Sequence, residues 1–394
     1  MRLRHRDGTA VHLSYCTNVH PAEDLAGIVR QLDEHAEPVR HRLGADRLGL
    51  GLWLPGPLAA ELAADGSAVT RLRAELTARG LEVVSLNGFP YRGFHAPVVK
   101  HDVYLPDWSD PARLAYTLDL ARVLTRLLPD DAARGSISTL PLGWRTWWTP
   151  EHRDAAQRQL ALLTDELATL REREGRAVRI AFEPEPGCVV ERTEEAVEHL
   201  GSLDHSLIGV CLDTCHLAVG FEEPEQALDR LSAAGLPVVK VQASCALHAD
   251  DPKDPPTAAA LARFVEPRFL HQTREAADPR PLARDDLGMA MHPGPELGAL
   301  PGRAPWRVHF HTPLHAEPAA PLRSTRPVLE ETLARLLGGE RALTDHIEVE
   351  TYTWSVLPEG QRPEGPAALS EGIAAELHWA RDYLNTIGLE EVPS

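Results

Sequence analysis

The sequence has few cysteines, and their arrangement does not suit a disulfide framework. It contains five, and no two of them form a CxxC pair. They are Cys16, Cys188, Cys211, Cys215 and Cys245. An odd number of cysteines without such a pair argues against a disulfide-stapled fold and against a zinc site held by thiolates.

Long apolar runs and basic clusters are also missing. No apolar stretch reaches the roughly 18 residues of a membrane span, and no charged segment leads into an apolar one with a cleavage site. We therefore expect a cytoplasmic protein with no membrane span. The 40 basic residues against 58 acidic ones give a net charge of −18, which repels polyphosphate. The longest basic cluster, at residues 2–6, is short, so we expect no nucleic-acid partner.

What the sequence does contain is a regular alternation of strands and helices. Its 394 residues are 43% apolar, which is enough for one large core. Short β-rich runs alternate with amphipathic helical stretches, a pattern typical of a parallel sheet with crossover helices. The strand candidates are 11–16, 47–52, 82–86, 136–140, 178–182, 208–212, 238–242 and 347–351. Because eight such strands close a barrel, we predict an α/β fold, a (β/α)8 TIM barrel, as a single domain over residues 1–394.

One region departs from this alternation. Residues 244–305 are rich in proline, glycine and charge. A connection of this length in a compact domain is usually functional or disordered. We predict an insertion after the seventh strand that folds over the barrel mouth and brings His309 or His311 within reach of it.

Polar side chains follow the apolar runs of four candidate strands. Glu183 follows the fifth, Asp213 the sixth and Glu350 the eighth, and Gln242 ends the seventh. In a TIM barrel, reactive groups stand at the carboxyl ends of the strands. Each acid could instead cap the next helix or pair with an arginine, but three converging carboxylates repel one another unless a cation lies between them. The pattern predicts one divalent cation, Mn, Mg, Zn or Fe, with a second cation left open.

The sharpest motif is the run Ile-Gly-Val-Cys-Leu-Asp-Thr-Cys-His at residues 208–216, in which Asp213 and His216 can face one cavity. It resembles the sixth-strand motif of the xylose-isomerase-like TIM barrels. This superfamily includes sugar isomerases and epimerases, inosose dehydratases and endonuclease IV. Glu183, in Ala-Phe-Glu-Pro, and Glu350, in Val-Glu-Thr, resemble its metal-binding glutamates. The resemblance implies that either glutamate can also act as base, and that His216 positions a substrate hydroxyl or binds a second metal.

A narrower resemblance spans most of the chain. Its segments are 15–21, 87–91, 100–108, 308–311 and 350–354. They resemble the metabolite traffic protein EboE family, from the ebo biosynthetic cluster. This implies a metal-dependent barrel in small-molecule biosynthesis and leaves the reaction open.

The seventh strand departs from the wider pattern. Gln242 stands where the superfamily usually has a metal-binding histidine. Either its amide oxygen is the ligand, or His248, His309 or His311 supplies one from beyond the strand.

The second and third strand ends also depart from the endonuclease IV pattern. They read Leu-Trp-Leu-Pro at 52–55 and Leu-Asn-Gly-Phe at 86–89, without the histidines that build a three-metal cluster. We therefore expect no cleavage of abasic DNA.

Four residues are predicted to bind substrate. His20, Asn87, Lys100 and Trp147 border the predicted mouth and suit a polyhydroxylated ring or sugar. The alternatives are a histidine in a surface turn, an exposed lysine and a tryptophan packed against the barrel rim.

Together these residues favour an enzyme. Glu183, Glu350 and His216 would catalyse proton transfer next to a metal-bound carbonyl of a sugar or cyclitol, the step that isomerisation, epimerisation and dehydration share. One alternative is a phosphoester hydrolase with a second metal held by His216 and the 309/311 pair. Another is a metabolite-binding protein without catalysis. The oligomeric state stays open.

Overall fold

The computed structural model of the protein describes residues 1–292, 294 and 298–392. Eight parallel strands close into a barrel, with helices in the crossovers. Neighbouring strands follow the chain order, and the last one returns to pair with the first. The predicted (β/α)8 barrel is confirmed, and the observed strand ends differ from the predicted ones by no more than two residues.

Eight strands form the barrel, and two further strands extend its sheet at the edge. The strands are β1 (Arg2–Arg4), β2 (Ala10–Cys16), β3 (Leu48–Trp53), β4 (Leu81–Asn87), β5 (Arg134–Thr139), β6 (Ala177–Phe182), β7 (Ile208–Asp213), β8 (Val238–Ala243), β9 (Leu247–Ala249), β10 (Thr273–Glu275), β11 (Leu282–Arg284), β12 (Trp306–Val308), β13 (Arg323–Ser324), β14 (His346–Val349) and β15 (Glu390–Glu391). Strands β2 to β8 and β14 form the barrel. The edge strands β1 and β15 pair antiparallel, β1 with β2 and β15 with β1.

Helices form the outer layer. They are α1 (Leu25–Gln31), α2 (Glu37–Leu43), α3 (Gly56–Ala64), α4 (Gly66–Ala78), α5 (Pro111–Leu127), α6 (Pro150–Glu174), α7 (Thr193–Leu200), α8 (Thr214–Val219), α9 (Pro224–Ala233), α10 (Pro255–Ala262), α11 (Leu287–Met291), α12 (Arg326–Leu337) and α13 (Gly365–Thr386). Short 3-10 segments cover Thr17–Val19, Lys100–Tyr104, Arg145–Trp147 and Tyr352–Val356, and a π-helical turn covers Leu32–Ala36. Among the described residues, no helix combines the length and apolar character that crossing a membrane requires.

The barrel strands are buried on both faces, which explains their nearly continuous apolar sequences. Within the barrel, Lys240 on β8 donates to the Glu348 carboxylate on β14 at 2.9 Å and forms a fully buried ion pair with it. Gly51 on β3 makes room for the Glu348 carboxylate, because a Cβ at that position would overlap it. The charge of Lys240 is therefore already paired within the barrel wall.

A second sheet lies in the chain between β8 and α12. Its five short strands pair in the order β11-β10-β12-β9-β13, all antiparallel. Its apolar side chains, including Trp306 and Phe310, share one buried cluster with Trp53 and Trp354 from the carboxyl end of the barrel. The predicted insertion boundary at residue 305 falls inside this sheet, because β12 pairs centrally between β10 and β9.

Candidate metal centre and active site

Three carboxylates meet at the carboxyl end of the barrel. Glu183 directly follows β6, Asp213 ends β7 and Glu350 directly follows β14. One carboxylate oxygen of each lies within 4.8 Å of the others, and their exposed fractions are 3%, 1% and 5%. We call these three residues the acidic cluster. Their convergence follows from the parallel strands, whose carboxyl ends all stand on one rim.

Asp213 both caps a helix and keeps a free oxygen. Its Oδ1 accepts hydrogen bonds from the backbone N–H of His216 at 2.9 Å and from the Ser244 hydroxyl at 2.7 Å. Its Oδ2 is buried and has no hydrogen-bond partner. Helix capping therefore involves only Oδ1, and Oδ2 is available as a ligand.

The two glutamates are held differently. Asn18 and Asn87 donate their amide N–H groups to Oε1 of Glu350 at 2.7 and 3.0 Å. Oε2 of Glu183 is buried without a partner. Among the described residues, no lysine or arginine forms an ion pair with either glutamate or with Asp213.

Burial and mutual repulsion oppose ionisation of the acidic cluster. Burial and the charges of Glu350 and Asp213 raise the pKa of Glu183 well above its ordinary value. Burial and the charges of Asp213 and Glu348 raise the pKa of Glu350 to about 8. Three ionised carboxylates at this spacing require a compensating charge, which a divalent cation would supply. The donor set fits such an ion.

His311 brings an imidazole to the acidic cluster. Its Nδ1 donates to the backbone carbonyl of Glu350 at 2.6 Å, because a carbonyl can only accept. Its Nε2 has no partner and lies 3.8 Å from Oδ2 of Asp213. Burial lowers the pKa of His311 to about 4, so the ring is neutral near pH 7. A neutral imidazole anchored through Nδ1 is the usual form of a metal-binding histidine.

The other candidates for the fourth ligand differ from His311. Both amide atoms of Gln242, on β8, are buried without a hydrogen-bond partner. His248 instead points to Asp250, with 2.9 Å between its Nε2 and the carboxylate. Gln242 and His311 therefore both retain unused ligand atoms, whereas the Nε2 atom of His248 is taken.

Two further histidines stand beside the acidic cluster. The Nε2 atoms of His216 and His309 are 3.1 Å apart, and both rings are buried. Glu185, which follows Glu183 by two residues, places a carboxylate oxygen within 4.8 Å of both imidazoles. Burial and the neighbouring imidazoles, His216 first, lower the pKa of His309 well below its ordinary value.

A cavity open to solvent reaches the acidic cluster. Polar groups of Glu183, Glu185, His216, His309 and Glu350 line one part of it. Five aromatic side chains also line it, those of Phe89, Phe94, Tyr104, Phe269 and Tyr352. The cavity can therefore offer a small molecule both oxygen-binding groups and aromatic rings.

Two of the residues predicted to bind substrate line this cavity. Asn87 does so while it holds Glu350. Lys100 also does so, but its ammonium group pairs with Asp286 and donates to the carbonyl of Phe269 at 2.6 Å. The N–H groups of the Lys100 ammonium are thus largely engaged in hydrogen bonds within the protein.

The other two lie away from the cavity lining. His20 is buried, contacts the Tyr15 hydroxyl at 3.2 Å and stacks on His35 with 4.1 Å between ring centroids. Trp147 is 40% exposed and packs near His101. The structure does not bring these two residues to the acidic cluster.

Several residues at the site were not singled out from the sequence. Tyr104 donates its hydroxyl to Glu185 at 2.6 Å, and Gln272 donates to both of these side chains. The alternation Glu-Pro-Glu-Pro after the fifth strand was the available signal for Glu185. Gln272 lies far from Tyr104 and Glu185 in the sequence, and no sequence pattern around it indicates that it reaches the site.

Solved structures with a similar fold come from several bacteria. D-psicose 3-epimerase from Clostridium cellulolyticum, solved with D-tagatose, is 14% identical, with a TM-score of 0.49, and the match covers 95% of this chain and 99% of that one. A xylose isomerase-like TIM barrel protein from Mycobacterium smegmatis in complex with magnesium is 14% identical, with a TM-score of 0.49 and coverage of 95% and 98%. The probable 3-DHS dehydratase AsbF from Bacillus anthracis is 14% identical, with a TM-score of 0.48 and coverage of 94% and 98%.

Sequence comparison identifies the family. The chain has no significant match among curated proteins. The profile of the family described as Xylose isomerase-like TIM barrel matches residues 41–267, which is more than half of the chain.

Proposed function

The chain belongs to the xylose isomerase-like TIM-barrel family, and we propose that it is a metal-dependent isomerase or epimerase. In this proposal it acts on a sugar- or cyclitol-type small molecule, by proton transfer next to a metal-bound carbonyl. The resemblance to the EboE family supports a role in an ebo-type biosynthetic pathway. The observation that carries the proposal is the acidic cluster, whose buried carboxylates have no cationic partner among the described residues.

Four residues would hold the cation. Glu183, Asp213 and Glu350 supply carboxylate oxygens, and His311 supplies Nε2. We prefer His311 to Gln242 as the fourth ligand, because its Nδ1–H is anchored on the Glu350 carbonyl and its lone pair faces Asp213. Oxygen-rich ligands with one imidazole suit Mn, Mg, Zn or Fe.

A bound divalent cation supplies a Lewis acid that polarises a substrate carbonyl and stabilises the negative charge that develops beside it. The protein supplies the base and its orientation. Oε1 of Glu350 already accepts from Asn18 and Asn87, which lowers its affinity for a proton. Glu183 has no such donors on Oε2, so we assign removal of the carbon-bound proton to Glu183.

The cavity supports the proposed substrate class. Its lining combines carboxylate and imidazole groups with aromatic rings, which suits a polyhydroxylated ring such as a monosaccharide or a cyclitol. The aromatic rings of Phe89, Phe269 and Tyr352 can stack against the apolar face of such a ring, while its oxygens point to the acidic cluster.

The test is exchange of carbon-bound hydrogen with solvent. Candidate ketoses, aldoses and inososes are incubated with the protein and Mn²⁺ in deuterated buffer, freed of metal and analysed by NMR. We expect deuterium next to the carbonyl with the wild type and none with Glu183→Gln. Glu376→Gln is the matched control, because Glu376 is an equally buried glutamate that contacts Thr351 and lies outside the acidic cluster.

Other outcomes separate the alternatives. Tight binding of a metabolite without exchange or product would support a carrier and contradict the proposed isomerase. Release of inorganic phosphate from phosphorylated sugars, lost in Asp213→Ala, would support a phosphoester hydrolase instead.

A further inference from the structure

We propose that Asp286 is a specificity-determining residue of the cavity. By holding the ammonium group of Lys100, it makes the cavity accept an uncharged polyhydroxylated molecule and exclude the phosphate ester of that molecule. This inference rests on the proposed function, because it names the charge of the substrate of the same site. It is carried by the hydrogen-bond partners of the polar groups that line the cavity.

The ammonium group of Lys100 has no donor left for a ligand. Lys100 is the only lysine or arginine among the described residues that line the cavity. An ammonium group has three N–H donors. Three acceptors of the protein surround this one, namely the carboxylate of Asp286, the carbonyl of Phe269 at 2.6 Å and the carbonyl of Glu266 at 3.3 Å. Asp286 also balances the positive charge, so Lys100 offers a phosphate group neither a free N–H nor a net charge.

The main chain keeps Lys100 in this position. Its φ of 39° lies in the left-handed region, which a residue with a side chain rarely adopts unless its surroundings impose it. The N–H groups of Val99 and Lys100 both donate to the carbonyl of Arg268, at 2.8 and 2.9 Å. Main chain and side chain therefore both bind Lys100 to the segment 266–269.

Asp286 forms its ion pair instead of capping a helix. It stands directly before α11 at the N-cap position, where an aspartate usually accepts a hydrogen bond from the first turn. Its side chain makes no such hydrogen bond. The side chains of Lys100 and Asp286 are 25% and 17% exposed, so solvent screens their attraction less than it would on an open surface. The carboxylate of Asp286 is therefore engaged with Lys100.

Other polar groups of the lining offer acceptors to a ligand. The amide nitrogen of Asn87 donates to Glu350 at 3.0 Å and to Sγ of Cys16 at 3.2 Å, so both of its hydrogens are used. Oδ1 of Asn18 and Oε2 of Glu183 are buried acceptors without a partner. The hydroxyl groups of a sugar or cyclitol can donate to such acceptors, whereas the oxygens of a phosphate group mainly accept.

The charge of the site also opposes an anionic ligand. The three carboxylates of the acidic cluster exceed the charge of one divalent cation, and Glu185 adds a further carboxyl group to the lining. A phosphate ester would bring about two more negative charges into this largely buried site. Like charges repel strongly where water is excluded, so the cavity favours an uncharged ligand.

The experiment compares free sugars with their own phosphate esters. The ketoses, aldoses and inososes of the exchange assay and their monophosphates are titrated into Mn²⁺-loaded protein, and calorimetry gives each Kd. We expect the wild type to bind a free sugar more tightly than its ester. Asp286→Asn leaves the charge of Lys100 unbalanced and should improve the affinity for the ester, relative to the free sugar, by about tenfold or more, the value of one charge-assisted hydrogen bond.

Two further variants show where this gain comes from. Asp285→Asn is the matched control, because it removes the same charge one residue away, and Asp285 is not among the hydrogen-bond partners of Lys100. It should leave the ratio of the two affinities at the wild-type value. Adding Lys100→Met to Asp286→Asn should abolish the gain in ester binding.

Three results would overturn the proposal. They are tighter binding of an ester than of its free sugar by the wild type, no binding of any free sugar, and equal affinity ratios in Asp286→Asn and Asp285→Asn. The first two need no variant, so they apply even where a substitution prevents folding. Failure of the proposed function appears differently, as selective binding of a free sugar without exchange of its carbon-bound hydrogen.

Discussion

The two ends of the barrel contain buried acids with opposite surroundings. At the amino end, Glu82 lies 2.7 Å from Arg2 and Asp345 lies 2.8 Å from Arg179. At the carboxyl end, the acidic cluster has no arginine or lysine partner among the described residues. Buried aspartate and glutamate side chains therefore form ion pairs within the protein at the amino end. At the carboxyl end the protein supplies no such counter-charge, and the carboxylates are suited to binding an external cation.

Ionisation differs accordingly between the two ends. Burial opposes ionisation of Asp345, but His346, Arg179 and Arg134 outweigh it and lower its pKa to about 2. Burial and neighbouring carboxylates instead raise the pKa of Glu350 to about 8. Burial alone does not decide whether a carboxyl group is ionised, because nearby positive charges can outweigh the rise in pKa that burial causes.

The largest expected effect is on metal binding. Asp213→Ala removes a proposed ligand of the acidic cluster and should weaken Mn²⁺ binding by more than the roughly 10–100-fold that loss of an outer-shell partner causes. Asp345→Ala, at the other end, should leave Mn²⁺ affinity unchanged. Isothermal titration of metal-free protein measures both, and equal affinities in the two variants would contradict the functional difference between the ends.

Stability should respond in opposite directions at the two ends. Asp345→Asn leaves Arg179 buried without its counter-charge and should destabilise the protein by about 3 kcal/mol. Glu183→Gln removes a repelling carboxylate and should stabilise the metal-free protein by about 1 kcal/mol. Urea unfolding in the presence of a chelator gives both values. Destabilisation by Glu183→Gln would show that groups within the protein already balance the negative charge of the acidic cluster.

A smaller effect is expected in the pH dependence of the metal-free protein. Folding raises the pKa of Glu350 from 4.5 to about 8, so the folded state holds more protons than the unfolded state between these values. The stability that Glu350 contributes should therefore fall as pH rises from about 5 to 8, by at most roughly 1.4 kcal/mol per pH unit, and level off above that range. Glu350→Gln should reduce the measured slope by this share, which unfolding curves at several pH values would reveal. Saturating Mn²⁺ should reduce the slope at least as much, and a slope unchanged by Mn²⁺ would contradict metal binding by Glu350.

Asp345 should act in the opposite pH range. Its folded-state pKa is lowered from 3.8 to about 2, so the stability it contributes is present above pH 4 and is lost as pH falls through about 2. Comparing Asp345→Asn with the wild type at pH 2 and pH 6 isolates this contribution. The difference between the two proteins should shrink at the lower pH.

The barrel and the acidic cluster could be predicted from the sequence because both depend on local patterns. The barrel strands have four to seven residues in the structure, and most of them are largely apolar runs that are recognisable without their neighbours. Once eight parallel strands are predicted, their carboxyl ends must share one rim, so the residues following them must converge. Glu183, Asp213 and Glu350 could be grouped for this reason alone.

The positions of the candidate imidazole ligands depend on tertiary structure. His309 and His311 follow β12, a strand of three residues, and reach the site because the second sheet shares a buried cluster with the barrel rim. The sequence pattern of a strand this short is too weak to show where the strand packs. The sequence around Lys100, His20 and Trp147 likewise does not show whether their side chains face a cavity. The sequence alone therefore determined the barrel and its acidic rim. Long-range packing decided which imidazoles lie beside that rim, because contacts such as the one between His216 and His309, which are 93 residues apart, leave no periodic trace in either partner.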